Sequence, residues 1–473
     1  MTLIAKAVLL LWLPIAVNFF RCYPPRKAIL ITLIVGILFL PTRVLFNLPL
    51  IPNYDSETAV VYPIIIGLFI YDTKWLTRLE PWWLDVPILI FCISSIFASV
   101  RNDLGIYDGV NESLRMVWLY GVPYLVGRVY FNNLDSIRNL AVAIVKGGLV
   151  YVPFCLYEVL MSPQLHRMIY GYFPHGSGIT QAIRLGGYRP MVFMNHGLAV
   201  GLFMMTATLI AVWLWQSKAV GEIWGFDLVY IVPVLVFTLI LVRSTGAYLL
   251  FAYGLVILAF AKWRKSIWPF LLLIIGIITY LYIAIQGNLD KPTLVLPVLE
   301  FLSNFASPDR IGSLEFRIDE EILLIDKARE QFWFGWGGWG RSRVFEENNY
   351  GIFQDVSITD SLWIIVFGTK GVIGIVSIAL SMLLPSLLFP YLRHPVRTWF
   401  YPRVGSAAVF AVLLPLFMLD NLLNYHLTVV GWVMVGSLTG LILNTQEDLS
   451  ITGGKNVPKT KYVEKIPEKV GQK

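Results

Sequence analysis

Residues 191–215 read MVFMNHGLAVGLFMMTATLIAVWLW and contain no Asp, Glu, Lys or Arg. A helix needs roughly 20 mostly apolar residues to cross the hydrocarbon of a bilayer, and this stretch has the length. The pattern repeats outward in both directions. Apolar runs fall near 3–20, 28–46, 58–72, 84–100, 114–131, 139–161, 191–215, 227–242, 245–261, 267–286, 361–389, 404–420 and 427–443. The 58–72 run is short enough to tilt or re-enter, and the 361–389 run is long enough to begin outside the bilayer. Only helices satisfy their own backbone groups in lipid without neighbours. The expected fold is therefore all-α: a polytopic transmembrane bundle of about 12–13 helices with a long, partly helical extracytoplasmic loop. A transmembrane β-barrel would alternate apolar and polar residues in segments of roughly ten, and no such segment occurs.

Composition agrees. The chain is 57% hydrophobic and 14% charged, where soluble domains are about 45–50% apolar. The net charge of +7 does not point to nucleic acid, because the basic residues sit mainly in short connectors, where topology accounts for them. Cys22, Cys92 and Cys155 have no metal-ligand spacing and imply no disulfide framework. The first run is followed, not preceded, by Arg21, Arg26 and Lys27. It therefore reads as a retained helix and not as a signal peptide.

Alternate connectors carry Arg21/Arg26/Lys27, Lys74/Arg78, Arg138, Lys218, Lys262/Arg264/Lys265 and Arg393/Arg397/Arg403, with further lysines in the tail. The positive-inside rule puts this set in the cytoplasm, with the amino terminus outside. The organisation expected is N-terminal transmembrane helices over 1–161, a first outer loop over 162–190 and central transmembrane helices over 191–286. A long extracytoplasmic loop follows over 287–360, then C-terminal transmembrane helices over 361–443 and a disordered basic tail over 444–473. Within the long loop, Leu314, Ile318, Ile322 and Ile325 recur at helical spacing opposite Glu315, Asp319 and Asp326. They predict an amphipathic helix over 313–332, closed by FGWGGWG.

No HExxH, P-loop, GxGxxG in a βαβ setting or CxxC is present. What stands out is arginine on the outer side: Arg184, Arg189, Arg243, Arg310, Arg317, Arg329, Arg341 and Arg343. A guanidinium is an always-charged fork that grips phosphate oxygens. A lipid-linked diphosphate would present its phosphates at this level. The bland reading is a solvated loop neutralised by Asp319, Glu320, Glu321 and Asp326. Arg243, at the edge of an apolar run, is the sharper case, because charge there is costly; snorkelling is its alternative. Apart from Lys6 and Lys146, charges are expected at membrane edges and outside. His166, His175, His196 and His426 fall on the outer side, His394 on the inner. Asp360 precedes an apolar run in SITDSLWIIVFGTKGVIG. By residue type alone it reads first as a helix N-cap, and otherwise as a carboxylate base.

Three stretches together resemble the bacterial O-antigen ligase and polymerase (Wzy-C domain) family over roughly the last half of the chain. They are RSTGAYLLFAYG from Arg243, FRIDEEILLIDKAREQFWFGWGGWG from Phe316, and DSLWIIVFGTKG from Asp360. IRLGGYRPMVFMNHGLA is a looser match upstream. The resemblance implies glycosyl transfer from undecaprenyl diphosphate at the outer face of the cytoplasmic membrane, without metal, nucleotide sugar or other cofactor. Its partners would be the lipid-linked glycan, membrane lipids and other polysaccharide-assembly proteins. By this resemblance Arg317 and Arg243, with Arg184 or Arg189, bind the diphosphate, and Asp360 and Arg317 are catalytic. Arg243 precedes Ser244, where the family's arginine usually follows the serine. Asp360 stands where ligases carry histidine, which favours a polymerase over a ligase and leaves His196 or His426 as alternative bases. A lipid-linked oligosaccharide flippase or solute transporter, and a non-catalytic envelope scaffold, are the rival classes.

Overall fold

The computed structural model describes residues 2–48, 51–174, 182–289, 291, 295–304, 308–347, 351–425 and 429–444. The chain is a helical bundle. Its helices in order are α1 (Leu3–Cys22), α2 (Pro25–Phe39), α3 (Thr58–Tyr71), α4 (Val86–Arg101), α5 (Ile106–Met116), α6 (Val122–Tyr130), α7 (Leu134–Met161) and α8 (Leu165–Tyr170). There follow α9 (Gly197–Gln216), α10 (Leu228–Leu241), α11 (Thr245–Ala259), α12 (Trp268–Ile285), α13 (Leu296–Ser303) and α14 (Pro308–Arg329). The last three are α15 (Leu362–Leu388), α16 (Gly405–Asn421) and α17 (Val429–Leu443). The strands described are short antiparallel pairs in connectors, such as Ile183–Arg184 with Gly187–Tyr188.

Among the described residues, 7 helices are long and apolar enough to cross a membrane. Large hydrophobic side chains stand exposed along their outer faces, including Leu10, Leu11 and Ile15 on α1 and Leu272, Ile275 and Ile278 on α12. Water does not tolerate apolar patches of that extent; lipid does. This is a multi-pass membrane protein. α9 is the most enclosed of the 7, with 89% of its apolar window buried. Its small residues admit close neighbours: a Cβ at Gly201 would press on Ser244 at 2.7 Å.

Helix ends gather into two sets. On one side Thr2 bonds to the Tyr170 carbonyl, Tyr172 to the Thr42 carbonyl at 2.5 Å, and Arg341 to the Asn102 carbonyl at 2.8 Å. On the other, Tyr130 bonds to Asp72 at 2.7 Å, Lys262 to Gln216 at 2.5 Å, and Arg393 to the Ile442 carbonyl at 2.7 Å.

Several expectations need correction. α2 ends at Phe39, not near 46, because Leu40–Pro41 leads into the strand Leu45–Phe46, paired with Tyr54–Asp55. The run expected over 114–131 begins at Ile106 and passes through a π-turn at Val117–Gly121 before α6. The run expected over 191–215 is helical only from Gly197.

The 361–389 run is broken. Gly371 has φ 64° and ψ −163° inside α15. The backbone groups freed by the break are taken up by the Gly/Trp segment. Trp336 N donates to Gly368 O at 2.8 Å, Gly337 N to Thr369 O at 3.0 Å, and Val372 N to Phe332 O at 2.9 Å. Irregular backbone at membrane depth survives only when protein covers it. Gly335 is needed for the fit, since a Cβ there would meet Lys370 N at 2.5 Å.

The amphipathic helix is real but rotated. Its buried stripe is Glu321, Leu324, Ile325 and Ala328, while Leu314, Ile318 and Ile322 are half-buried. Nor do the charges keep to the edges. Lys370, Glu158 and Arg128 are all buried within apolar helices. The tail beyond Asn444, His175 and His426 lie outside the described residues.

Candidate functional site

α14 lies along the edge of the bundle and is fastened there by Glu321. That carboxylate is buried and accepts from Tyr280 Oη at 2.5 Å, Ser361 Oγ at 2.8 Å and Trp363 Nε1 at 3.0 Å. Burial pushes its pKa up, against the pull of these three donors and of Arg317. Tyr280 belongs to α12, and Ser361 and Trp363 to the start of α15. One side chain therefore ties three helices together.

The consequence falls one turn away. Arg317, four residues before Glu321 on the same helix, brings its Nε to 3.8 Å from Asp360 Oδ2. Arg317 also donates from one terminal nitrogen to Leu423 O at 3.4 Å and Asn424 Oδ1 at 3.5 Å. Asn424 in turn bonds to Asp420 at 2.9 Å. The two residues expected to be catalytic thus meet in a cleft also lined by Glu320, Ser361, Ile364 and Leu423.

Asp360 is not the cap of α15. The cap position is Ser361, whose side chain makes no capping bond and is held by Glu321 instead. The carboxylate of Asp360 is half exposed and turned to Arg317. The capping explanation, strong on residue type, is overturned.

The other arginines form a separate group. Arg243 has a left-handed backbone with φ 55°. One terminal nitrogen donates to the carbonyls of Arg184 at 3.2 Å and Leu185 at 3.0 Å. Arg189, itself buried, donates from Nε to Arg243 O at 3.3 Å. Arg184 Nε is buried without a hydrogen-bond partner. Arg243 thus pins the Ile183–Tyr188 hairpin, and a Cβ at Gly187 would displace its guanidinium. A buried guanidinium nitrogen with no acceptor is rare in folded proteins.

The expected arginine set is therefore not one cluster. Arg341 bonds to Asn102 O, Arg343 pairs with Asp355 at 2.5 Å, and Arg329 packs against Gly287. Two of the acidic residues expected to neutralise them are engaged elsewhere. Asp319 pairs with Lys291 at 2.7 Å, and Glu320 accepts from Ile358 N at 2.8 Å.

Of the alternative bases, His196 caps α9, its Nδ1 accepting from Leu198 N at 3.0 Å, and His426 lies outside the described residues. His166 is buried against Tyr172 O at 2.9 Å, and burial holds its pKa down. Three buried carboxylates, Glu158, Glu321 and Asp420, were not singled out from the sequence. Glu321 hid in an acidic run. Glu158, near the end of α7, accepts from Leu165 N, Met191 N and Val192 N at 2.9, 2.8 and 2.7 Å, and so gathers both ends of the first loop. A lone carboxylate near the end of a long apolar run was the one signal of it.

No protein-family model matches this chain, and no curated protein matches it.

Proposed function

We propose that this chain is a membrane glycosyltransferase of the polysaccharide polymerase type, using a glycan carried on undecaprenyl diphosphate. In this reading it crosses the cytoplasmic membrane about a dozen times, at about 20 residues per crossing. The side bearing α14, Arg317 and the Arg184/Arg189/Arg243 group then faces out. Neither metal nor nucleotide sugar takes part, as the family resemblance implies.

The observation that carries the reading is the approach of Arg317 to Asp360, 3.8 Å apart at a helix end of the bundle. A guanidinium beside a carboxylate supplies both groups that transfer from a diphosphate needs. The acceptor hydroxyl oxygen attacks C1 of the donor sugar while the C1–O bond to diphosphate breaks. The diphosphate leaves with the bonding pair, and the hydroxyl proton passes to Asp360. Arg317 stabilises the charge that builds on the leaving oxygens, and Arg184, with its unpartnered Nε, and Arg189 and Arg243 beside it serve the phosphates. One displacement inverts the anomeric centre. The absence of an imidazole at position 360 favours polymerase; a ligase, passing the glycan to a lipid or protein acceptor, is the alternative within the class.

A transporter is favoured by one specific observation, the break at Gly371 beside the buried Lys370. Broken helices and buried charge are features of transport sites.

Purified protein in nanodiscs, given undecaprenyl-diphosphate-linked glycan, tests the readings on a gel. A ladder of longer chains is expected. Transfer to a second acceptor instead makes it a ligase. Neither product, together with movement of labelled lipid-linked glycan across proteoliposomes, replaces the transferase with a transporter.

A further inference from the structure

Beneath the Gly/Trp segment lies a cavity of about 370 Å³, within the range of about 300–1,000 Å³ usual for small-molecule sites. Glu112 and Arg115 of α5, Tyr120 of the π-turn, Trp339 of the loop and Lys370 of α15 all line it. None of them takes part in the transfer step above.

Lys370 is 4% exposed. Its Nζ bonds to Ser95 Oγ and sits 5.6 Å from the centre of the Phe91 ring. An ammonium has three donors, and buried charges are ordinarily paired. Among the described residues, Lys370 makes no ion pair with a carboxylate, so donors remain for whatever fills the cavity.

Trp339 is the opposite case. It is 79% exposed, yet its backbone is left-handed, with φ 64°. Such strain in a bulky residue persists only where the surroundings impose it. Asp108 fixes the ring through Nε1 at 3.2 Å. Tyr120 sits in the π-turn, a distortion frequent at functional sites, with its hydroxyl 3.4 Å from that of Tyr425.

The lining thus offers a carboxylate that accepts, two cations that donate, hydroxyls that do either, and broad aromatic faces. Sugar rings need that mixture, since their hydroxyls both donate and accept while their C–H faces are apolar. The cavity also adjoins the Arg317–Asp360 cleft. Thr359 lines the cavity, Asp360 the cleft, and Ile364 both.

We propose that this cavity seats the acceptor saccharide, with Lys370 and Glu112 holding its hydroxyls, Trp339 covering a ring face, and the reacting hydroxyl reaching Asp360 past Thr359. The proposal rests on the transferase reading for the word acceptor, but the sugar site itself is independent of it.

The probe is free oligosaccharide, released by mild acid from the cell's own lipid-linked glycan. Its binding to protein in nanodiscs is measured by calorimetry, and acceptor KM is measured separately in the laddering assay. In Trp339→Ala and Lys370→Met, both checked as monodisperse, affinity should fall on the order of tenfold or more, with acceptor KM rising to match and donor KM unchanged. Trp339 is exposed, so its replacement does not threaten folding. Wild-type protein that extends glycan, with both variants keeping wild-type acceptor KM and affinity, overturns the sugar site and leaves the transferase standing. Oligosaccharide binding that is lost in the variants, with no glycan extended by any protein, keeps the sugar site and removes the transferase. Wild-type protein that binds no oligosaccharide and shows no acceptor saturation overturns the site.

Discussion

Glu321 and Trp363 meet through a 3.0 Å hydrogen bond, carboxylate to indole, that joins the amphipathic helix to the first turn of α15. Through it the position of Arg317 is set by a residue outside the Arg317–Asp360 pair. Glu321→Gln keeps the shape and loses the charge. Because burial raises the Glu321 pKa above its ordinary 4.5, the folded state favours the protonated form. The stabilisation this gives is complete below 4.5 and is lost as pH rises through the raised folded-state value. Thermal scans in nanodiscs should therefore show Tm of wild type falling across that interval, and Tm of Glu321→Gln falling less. Parallel curves would take Glu321 out of the pH response.

Arg317→Ala should lower the rate of glycan extension by about 10²–10³, the usual loss for one preorganised charge contact, with the protein still in the membrane at normal amount. Normal polymer in cells carrying that variant would remove the phosphate role.

Asp360→Asn separates chemistry from architecture. Since Ser361 occupies the cap and Asp360 has no capping bond, the amide should leave Tm unchanged while extension is lost. Unaltered extension would transfer the base to another group.

Gly371→Ala should cost at least about 1 kcal/mol in stability from its left-handed backbone alone, and more from overlap with the Trp333 carbonyl. Gly338→Ala is the control, with open space around the added carbon. Folded yield and Tm should drop for the first and hold for the second.

Sidedness has a direct check. In a background lacking Cys22, Cys92 and Cys155, Trp339→Cys should react with a membrane-impermeant maleimide in whole cells, and Lys218→Cys only after lysis. The reverse labelling would turn the molecule over.

Most of the helical plan was legible because apolar length is a local property. The run over 245–261, for example, needed no knowledge of its neighbours. The break in α15 was not legible, since Gly371 sits in FGTKGVIG like any glycine in an apolar run, and the reason for it lies in a loop far upstream. Lys370 was lost the same way, as one cation amid apolar residues. The Arg317–Asp360 pair was reached by resemblance; residue type alone favoured a cap, because the claim of Glu321 on Ser361 is a tertiary fact. Glu321 itself sits among acidic neighbours that suggest a wet face, and only packing shows which of them turns inward.

The seam between Phe332–Gly337 and the interrupted α15 has an evolutionary consequence. Those six residues complete the ladder of a membrane helix through their backbone, so their number cannot change without leaving amide groups bare in oil. Insertions and deletions should then be tolerated better beyond Gly337 than within the seam.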